Sequence, residues 1–234
     1  MQITVICSTS RRELSSTYNL AKQVAENLCM NDKPNYFFLP KDFSHFCLGC
    51  MQCFSGFHEK CPGYEELKPI KDSINKSQLI IFAVPVYVFH APGQLKCLLD
   101  HFGWEWLVHQ PNGLMFKKQA LVISTAAGAG MKSTIKDVKD SLDFWGVGRV
   151  YTYKKPIAAA NWTEIPPFKQ KKMLSKVEKI ADRILSDSVN FHPRIKVKLL
   201  FWSCRLMQKR FHFNPPDVDH WKKNGWLNKE RPWK

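Results

Sequence analysis

The chain is predicted to fold as a doubly wound α/β domain, a five-stranded parallel sheet with helices on both faces. Three observations predict it. Short apolar, β-branched runs alternate with segments of helical periodicity through most of the 234 residues. The most hydrophobic run, residues 79–89, is nearly unbroken except at Pro85, as expected of a central parallel strand covered on both faces. Three of the strand ends carry loops rich in hydroxyls, aromatics or small residues, and ligands of open parallel sheets bind outside those ends.

The elements follow in order. Residues 3–7 are a compact β-branched strand. Residues 17–29 repeat Leu20, Val24 and Leu28 at helical spacing. A short second strand is expected over 36–39, then a cysteine-rich insertion over 45–63, then a helix over 64–75. The central strand covers 79–84, a helix 94–102, a fourth strand 120–124, and a helix 133–145. A fifth strand over 150–153 and an amphipathic helix over 169–185 complete the pattern, with right-handed crossovers throughout. Residues 1–186 therefore form one domain. Residues 187–234 are an extension, with one more helix expected over 195–213 and no evident core of its own, packed on the domain or on a partner subunit.

Composition excludes several classes. The apolar share of 44% argues against disorder, and no segment has the length of a membrane-spanning helix. The N-terminus shows neither a basic n-region nor a cleavage site, so the cytoplasm is the expected compartment. The net charge of +15 is uneven: residues 191–234 hold eleven basic residues against three acids, which favours anionic partners.

The first loop, Cys7-Ser8-Thr9-Ser10-Arg11 with Ser15-Ser16-Thr17, places hydroxyls and a guanidinium at a helix N-terminus. Orphan amides and the helix dipole make such a place an anion site. It lacks the glycines of a Walker A or dinucleotide fingerprint. The second, Pro85-Val86-Tyr87-Val88-Phe89, suits a wall against a flat ring, with backbone amides to reach ring oxygens. In the third, Thr125-Ala126-Ala127-Gly128-Ala129-Gly130, small side chains let the backbone approach a ligand closely.

Together the loops resemble those of the NAD(P)H-dependent FMN reductases of the flavodoxin-like superfamily. The resemblance rests on the Ser/Arg loop, on Pro85-Val86-Tyr87, on Pro92-Gly93-Gln94-Leu95-Lys96 with Asp100, and on residues 125–130. It covers residues 1–185 and implies a flavodoxin-like sheet of order 2-1-3-4-5. It also implies an FMN phosphate on Ser8, Ser10, Arg11, Ser16 and Thr17. The flavin ring would lie against Pro85, Val86, Tyr87 and Val88 on one side and Thr125, Ala126, Ala127, Gly128 and Gly130 on the other. Two departures stand out: the usual Gly-Ser-Pro-Arg is Cys7-Ser8-Thr9-Ser10-Arg11 here, and Ala126-Ala127 replaces a common Gly-Gly.

Four of the eight cysteines, Cys47, Cys50, Cys53 and Cys61, fall in one stretch of C-x2-C-x2-C-x7-C spacing. In a reducing compartment this suggests metal or redox chemistry. The motif is similar to that of the iron–sulfur flavoproteins, which implies a [4Fe-4S] cluster passing electrons to FMN. Structural zinc and metal-free thiols remain open beside it. Cys7, Cys29, Cys97 and Cys204 read as small buried hydrophobes.

His90, His101 and His109 are expected to be hydrogen-bonded structure, and no catalytic side chain is assigned, because the isoalloxazine itself accepts hydride. The leading expectation is an FMN-dependent NAD(P)H oxidoreductase serving a small acceptor such as a quinone, nitro compound or flavin. It would act as a homo-oligomer, dimer or tetramer, with an electron-carrier protein as a further partner. The competing expectation is a metal-stabilised binding protein of the same fold, without flavin chemistry, whose basic tail docks on an anionic partner. No nucleic-acid motif accompanies the tail. Membrane contact by 196–210 is the less favoured reading against packing on the domain or across a dimer.

Overall fold

The computed structural model describes residues 1–29 and 32–234. Five strands, β1 (Ile3–Cys7), β2 (Asn35–Phe38), β3 (Leu79–Pro85), β4 (Gln119–Ala126) and β5 (Arg149–Pro156), form one parallel sheet. Its order is β2-β1-β3-β4-β5, the flavodoxin-like arrangement. The strand order reverses at β1 and β3, so a crevice opens above their carboxyl ends.

Helices α1 (Ser16–Leu28), α2 (Tyr64–Lys76), α3 (Gly93–His101), α4 (Met131–Phe144) and α5 (Pro167–Val189) cover the sheet. The period-2 alternation of β3 divides its side chains between the two layers. Leu79, Ile81 and Ala83 join the core under α1 and α5, whereas Ile80, Phe82 and Val84 join the core under α2, α3 and α4. That double burial is why the strand reads as an unbroken apolar run. The edge strand β5 instead presents Arg149, Lys154 and Lys155, charges that discourage edge-to-edge pairing.

The extension differs from its expected form. Its first helix, α6 (Ile195–Arg210), stops before residue 213, and a further helix, α7 (Pro215–Lys223), follows. The two share a third apolar cluster. Phe201, Trp221, Trp226 and Val197 pack with Leu107 and Phe116 of the main domain, and the rings of Phe201 and Trp221 stack at 4.9 Å. No periodicity reveals this cluster, because it gathers aromatics from segments far apart in sequence and is completed by the main domain. Buried Asp143 on α4 fastens the extension, accepting from Arg194 at 2.5 Å and Lys196 at 2.6 Å. Among the described residues no helix is long and apolar enough to cross a membrane.

Candidate functional site

The three loops meet above the sheet, and a fourth, following β5, joins them. Together they line an open cleft of ≈ 170 Å³. Thr9, Arg11, Ser15 and Ser16 come from the first loop, and Pro85, Val86 and Tyr87 from the second. Thr125, Ala126 and Ala127 come from the third, and Ile157, Ala159 and Ala160 from the fourth.

The first loop owes its shape to hydrogen bonds from outside it. The amide of Ser8 donates to Ala83 O at 3.0 Å, and the Gln94 side chain donates to Ser8 O at 2.9 Å. Ser15 caps α1, accepting from the Tyr18 amide at 3.4 Å and pairing with the Thr17 hydroxyl at 2.8 Å. The amides of Ser16 and Thr17 are left without an intrahelical acceptor, so their donors remain available beyond the helix end, where an anion is favoured. Arg11 donates to Asn161 Oδ1 at 2.5 Å, which ties the first loop to the fourth. Beneath them Cys7 is buried, and its thiol is pushed up to about 12 by that burial and secondarily by Asp42, so it stays neutral and forms floor.

The second loop is a tight turn. Tyr87 and His90 exchange backbone hydrogen bonds at 3.0 Å in each direction. Val88 and Phe89 between them both have positive φ, 46° and 66°. A β-branched residue in the left-handed region is strained, so this turn is held from outside. His90 Nδ1 and the Ala91 amide both contact Asp137 Oδ2, at 3.0 and 3.1 Å, and Ser133 donates to Phe89 O. Gly130, with φ 90°, lies so close that an added Cβ would stand 2.6 Å from Val86 Cγ1. The Val86 and Tyr87 amides are spent on Thr125 O and His90 O, so within this wall the amides free to meet a ring are those of Val88 and Phe89. Replacing Val88 with Asn and Phe89 with Gly, the pair this turn prefers, is expected to raise stability by about 1 kcal/mol. A higher urea midpoint at unchanged m-value would show it.

The other expected residues lie around the cleft. Ser8 is buried below it with its hydroxyl on Ala83 O at 3.2 Å, and Thr17 is fully buried beside Ser15. Ser10 is exposed and outside the lining, as is Val88, 93% exposed at the tip of the turn. Gly128 has open space around it. All three histidines are engaged: His90 with Asp137, His101 Nδ1 with Cys97 O at 2.8 Å, and His109 Nδ1 with Asp217 at 2.9 Å.

Cys47, Cys50, Cys53 and Cys61 line one separate cavity of ≈ 140 Å³ between their loop, α2 and α3. None is in a disulfide. Gly49 and Gly56 take positive φ, 64° and 87°, which lets the loop turn back on itself. Burial pushes the Cys53 thiol up, with the charges of Cys61 and Cys47 contributing in the same direction. One wall is Trp104, with the His58 ring stacked on it at 3.8 Å and Lys71 Nζ 4.1 Å from its centroid. The extension braces the loop through Asn214, which donates to Phe54 O at 3.0 Å beside Gln110 of the main domain at 3.1 Å.

A sequence comparison decides the family. Residues 1–161 match the family of NADPH-dependent FMN reductases. The chain belongs to that family. Within the reductase match lie all four loops of the cleft and all four clustered cysteines. The chain is also similar to an iron–sulfur flavoprotein of Clostridioides difficile (strain 630), with 28% identity over 144 residues, 59% of this chain. It spans 60% of that curated relative's length.

Solved structures carry the same fold. An FMN-dependent NADH-azoreductase from Bacillus anthracis str. Ames Ancestor, in complex with FMN, superposes with TM-score 0.59 at 14% identity, covering 79% of this chain and 99% of the azoreductase. An NADH:FMN oxidoreductase in its apo form gives TM-score 0.54 at 16% identity, covering 82% and 95%.

Several lining residues of this reductase-family cleft escaped sequence reasoning. Thr9 and Ser15 sat within the first loop but were passed over for their neighbours. The fourth loop was missed altogether, although Ile157-Ala158-Ala159-Ala160 repeats after β5 the small-residue signature recognised after β4.

Proposed function

We propose that this chain is an FMN-dependent NAD(P)H oxidoreductase that passes electrons to a small acceptor such as a quinone, nitro compound or flavin. It would hold an iron–sulfur cluster on Cys47, Cys50, Cys53 and Cys61. The observation that carries the first part is the cleft at the reversal of strand order. It joins a cation and a free helix N-terminus at one end to an apolar turn and alanine backbone at the other, which matches a phosphorylated, flat-headed ligand. FMN, when bound, accepts hydride from a nicotinamide and releases electrons to the acceptor.

The residues orient rather than react. Arg11 and the amides of Ser16 and Thr17 would fix the phosphate. Tyr87 and the strained turn would set the height of the ring, and Ala126 and Ala127 would let it lie close to β4. Because the cleft is open, the exposed Val88 and Phe89 at its mouth offer an apolar contact to a second copy, in keeping with a homo-oligomer. Clustered thiols suit a reducing, cytoplasmic compartment.

The cluster assignment is supported by ligand spacing. The four thiols share one cavity and come from one C-x2-C-x2-C-x7-C stretch. A cubane presents a separate iron to each thiolate and so accepts more widely spaced ligands than zinc does. Anaerobically purified protein should contain iron, and Cys50→Ser should lose it while still binding FMN. Stoichiometric zinc with no iron would end the cluster assignment, and failure to bind FMN in a fluorescence titration would end the flavin assignment.

A further inference from the structure

Helix α6 carries two apolar stripes, and the domain covers one of them. Val197, Phe201, Cys204 and Gln208 are its buried residues, and the first three belong to the cluster shared with the main domain. Ile195, Leu199, Trp202 and Leu206 repeat the same spacing of four, three and four, two positions earlier. Two positions are about 200° of helix, so this second stripe lies opposite the first. Its residues are 76%, 63%, 42% and 55% exposed. Just past the helix end Phe211 and Phe213 stack on each other at 5.4 Å, and both are exposed. Single exposed apolar residues are ordinary, but a stripe over three turns marks an interaction surface.

Cations border this open face on both sides. By helical position Lys198, Arg205 and Lys209 flank it on one side and Lys196 and Arg210 on the other, and none of the sixteen residues of α6 is acidic. Two of the five are already engaged. Arg205 donates to the carbonyls of Trp226, Leu227 and Asn228, and Lys196 pairs with Asp143. Among the described residues Lys198, Lys209 and Arg210 are in no ion pair. The guanidinium groups of Arg231 and Arg205 lie 4.2 and 5.1 Å from the Trp202 ring centroid, which holds the indole within the face.

Charge decides what can cover such a face. A second copy related by a two-fold axis would set the face against itself, bringing cations onto cations with no acid of α6 to answer them. An anionic lipid surface meets both halves of the pattern. Its acyl boundary takes up an apolar stripe, and its headgroups take up long cations whose stems lie along apolar surface. Anionic headgroups also attract clustered lysine and arginine before any contact is made. Trp is at home at that depth, with an apolar ring and a polar N–H.

We propose that the open face of α6 docks the protein on an anionic lipid surface, with Ile195, Leu199, Trp202 and Leu206 in the acyl boundary and Lys198, Lys209 and Arg210 at the headgroups. The helix, about 24 Å long, lies in the plane of the interface and does not cross it. This docking goes beyond the flavin reading and does not depend on it. Packing on the domain and contact with a membrane are alternatives for a helix with one apolar face. With two opposite faces, α6 does both at once.

Vesicle co-sedimentation of the purified full chain tests this with two probes, vesicles of phosphatidylcholine alone and vesicles holding about one-third phosphatidylserine. The expected result is binding at least about tenfold tighter to the phosphatidylserine vesicles. Trp202→Ser/Leu206→Ser should lower that affinity by about tenfold or more at a urea midpoint close to wild type, since both side chains are exposed. Lys209→Gln/Arg210→Gln should lower it as well. Lys171→Gln/Lys179→Gln removes the same charge from exposed positions on α5, across the sheet from α4 and α6, and should change it by less than about twofold. Equal binding to the two kinds of vesicle, an equal loss in both charge variants, or no binding to the phosphatidylserine vesicles overturns the proposal. If, beside an absence of vesicle binding, sedimentation velocity shows a dimer that Trp202→Ser/Leu206→Ser dissociates, the face belongs to a second copy of the chain.

Discussion

Arg11→Ala is expected to raise the dissociation constant for FMN roughly 10- to 100-fold. A hydrogen bond to a charged group contributes about 1.5–3 kcal/mol, and each 1.4 kcal/mol is tenfold in affinity. Arg11 is the one guanidinium in the lining of the proposed flavin cleft. The remaining anion contacts proposed come from backbone amides at the start of α1, which a side-chain substitution leaves in place, so binding should weaken and not vanish. Asn161→Ala removes the acceptor that aims Arg11 and is expected to cost only a few-fold, because the cation itself survives. Quenching of flavin fluorescence measures both. An unchanged constant for Arg11→Ala would place the phosphate elsewhere.

Lys71→Met is expected to destabilise the protein by about 3 kcal/mol at neutral pH. Glu105 is 1% exposed, its Oε2 has no partner, and its Oε1 accepts from Lys71 at 3.0 Å. Burial pushes the Glu105 carboxyl up, and the Lys71 charge and hydrogen bond oppose that shift. A carboxyl whose folded value is raised favours the folded state most at pH below its unfolded value, roughly 4.3. The advantage is lost as pH rises through the folded value. Removing Lys71 raises the folded value further, so the loss in Lys71→Met should be small near pH 4 and grow toward pH 7. Urea unfolding at both pH values checks the sign. Lys71→Met/Glu105→Gln should regain most of the loss, since no buried charge remains. A deficit in Lys71→Met that does not vary with pH would mean that Glu105 is not the group responsible. Because Lys71 also lies over Trp104 in the cysteine cavity, iron content of the variant would show whether that wall supports the proposed cluster.

The parts of this protein that were legible in the sequence are those governed by local pattern. The β-branched run at 3–7, the apolar run at 79–84 and the helical spacing of Leu20, Val24 and Leu28 each record which faces are buried, and burial is what sets a period of 2 or 3.6. Strand ends followed by hydroxyl, aromatic or alanine-rich loops likewise announced three of the four walls of the cleft. The cysteine spacing announced the second cavity.

What local pattern does not encode is which distant groups meet. Ser8 and Thr17 look like phosphate ligands in the sequence, yet the fold turns the Ser8 hydroxyl onto Ala83 O and that of Thr17 onto Ser15. Arg11 and Asn161 are brought together from opposite ends of the domain, and Asn214 of the extension closes on Phe54 of the cysteine loop. The extension reads as a basic tail because its cations are dense, while its core of Phe201, Trp221 and Trp226 exists only once Leu107 and Phe116 complete it. Sequence alone therefore determined the sheet, its helices and the chemical character of the loops above it. Tertiary structure decided which side chains face the cleft and which become its scaffold, because hydrogen bonds and apolar contacts across the fold choose partners by proximity in space, and sequence separation places no limit on that choice.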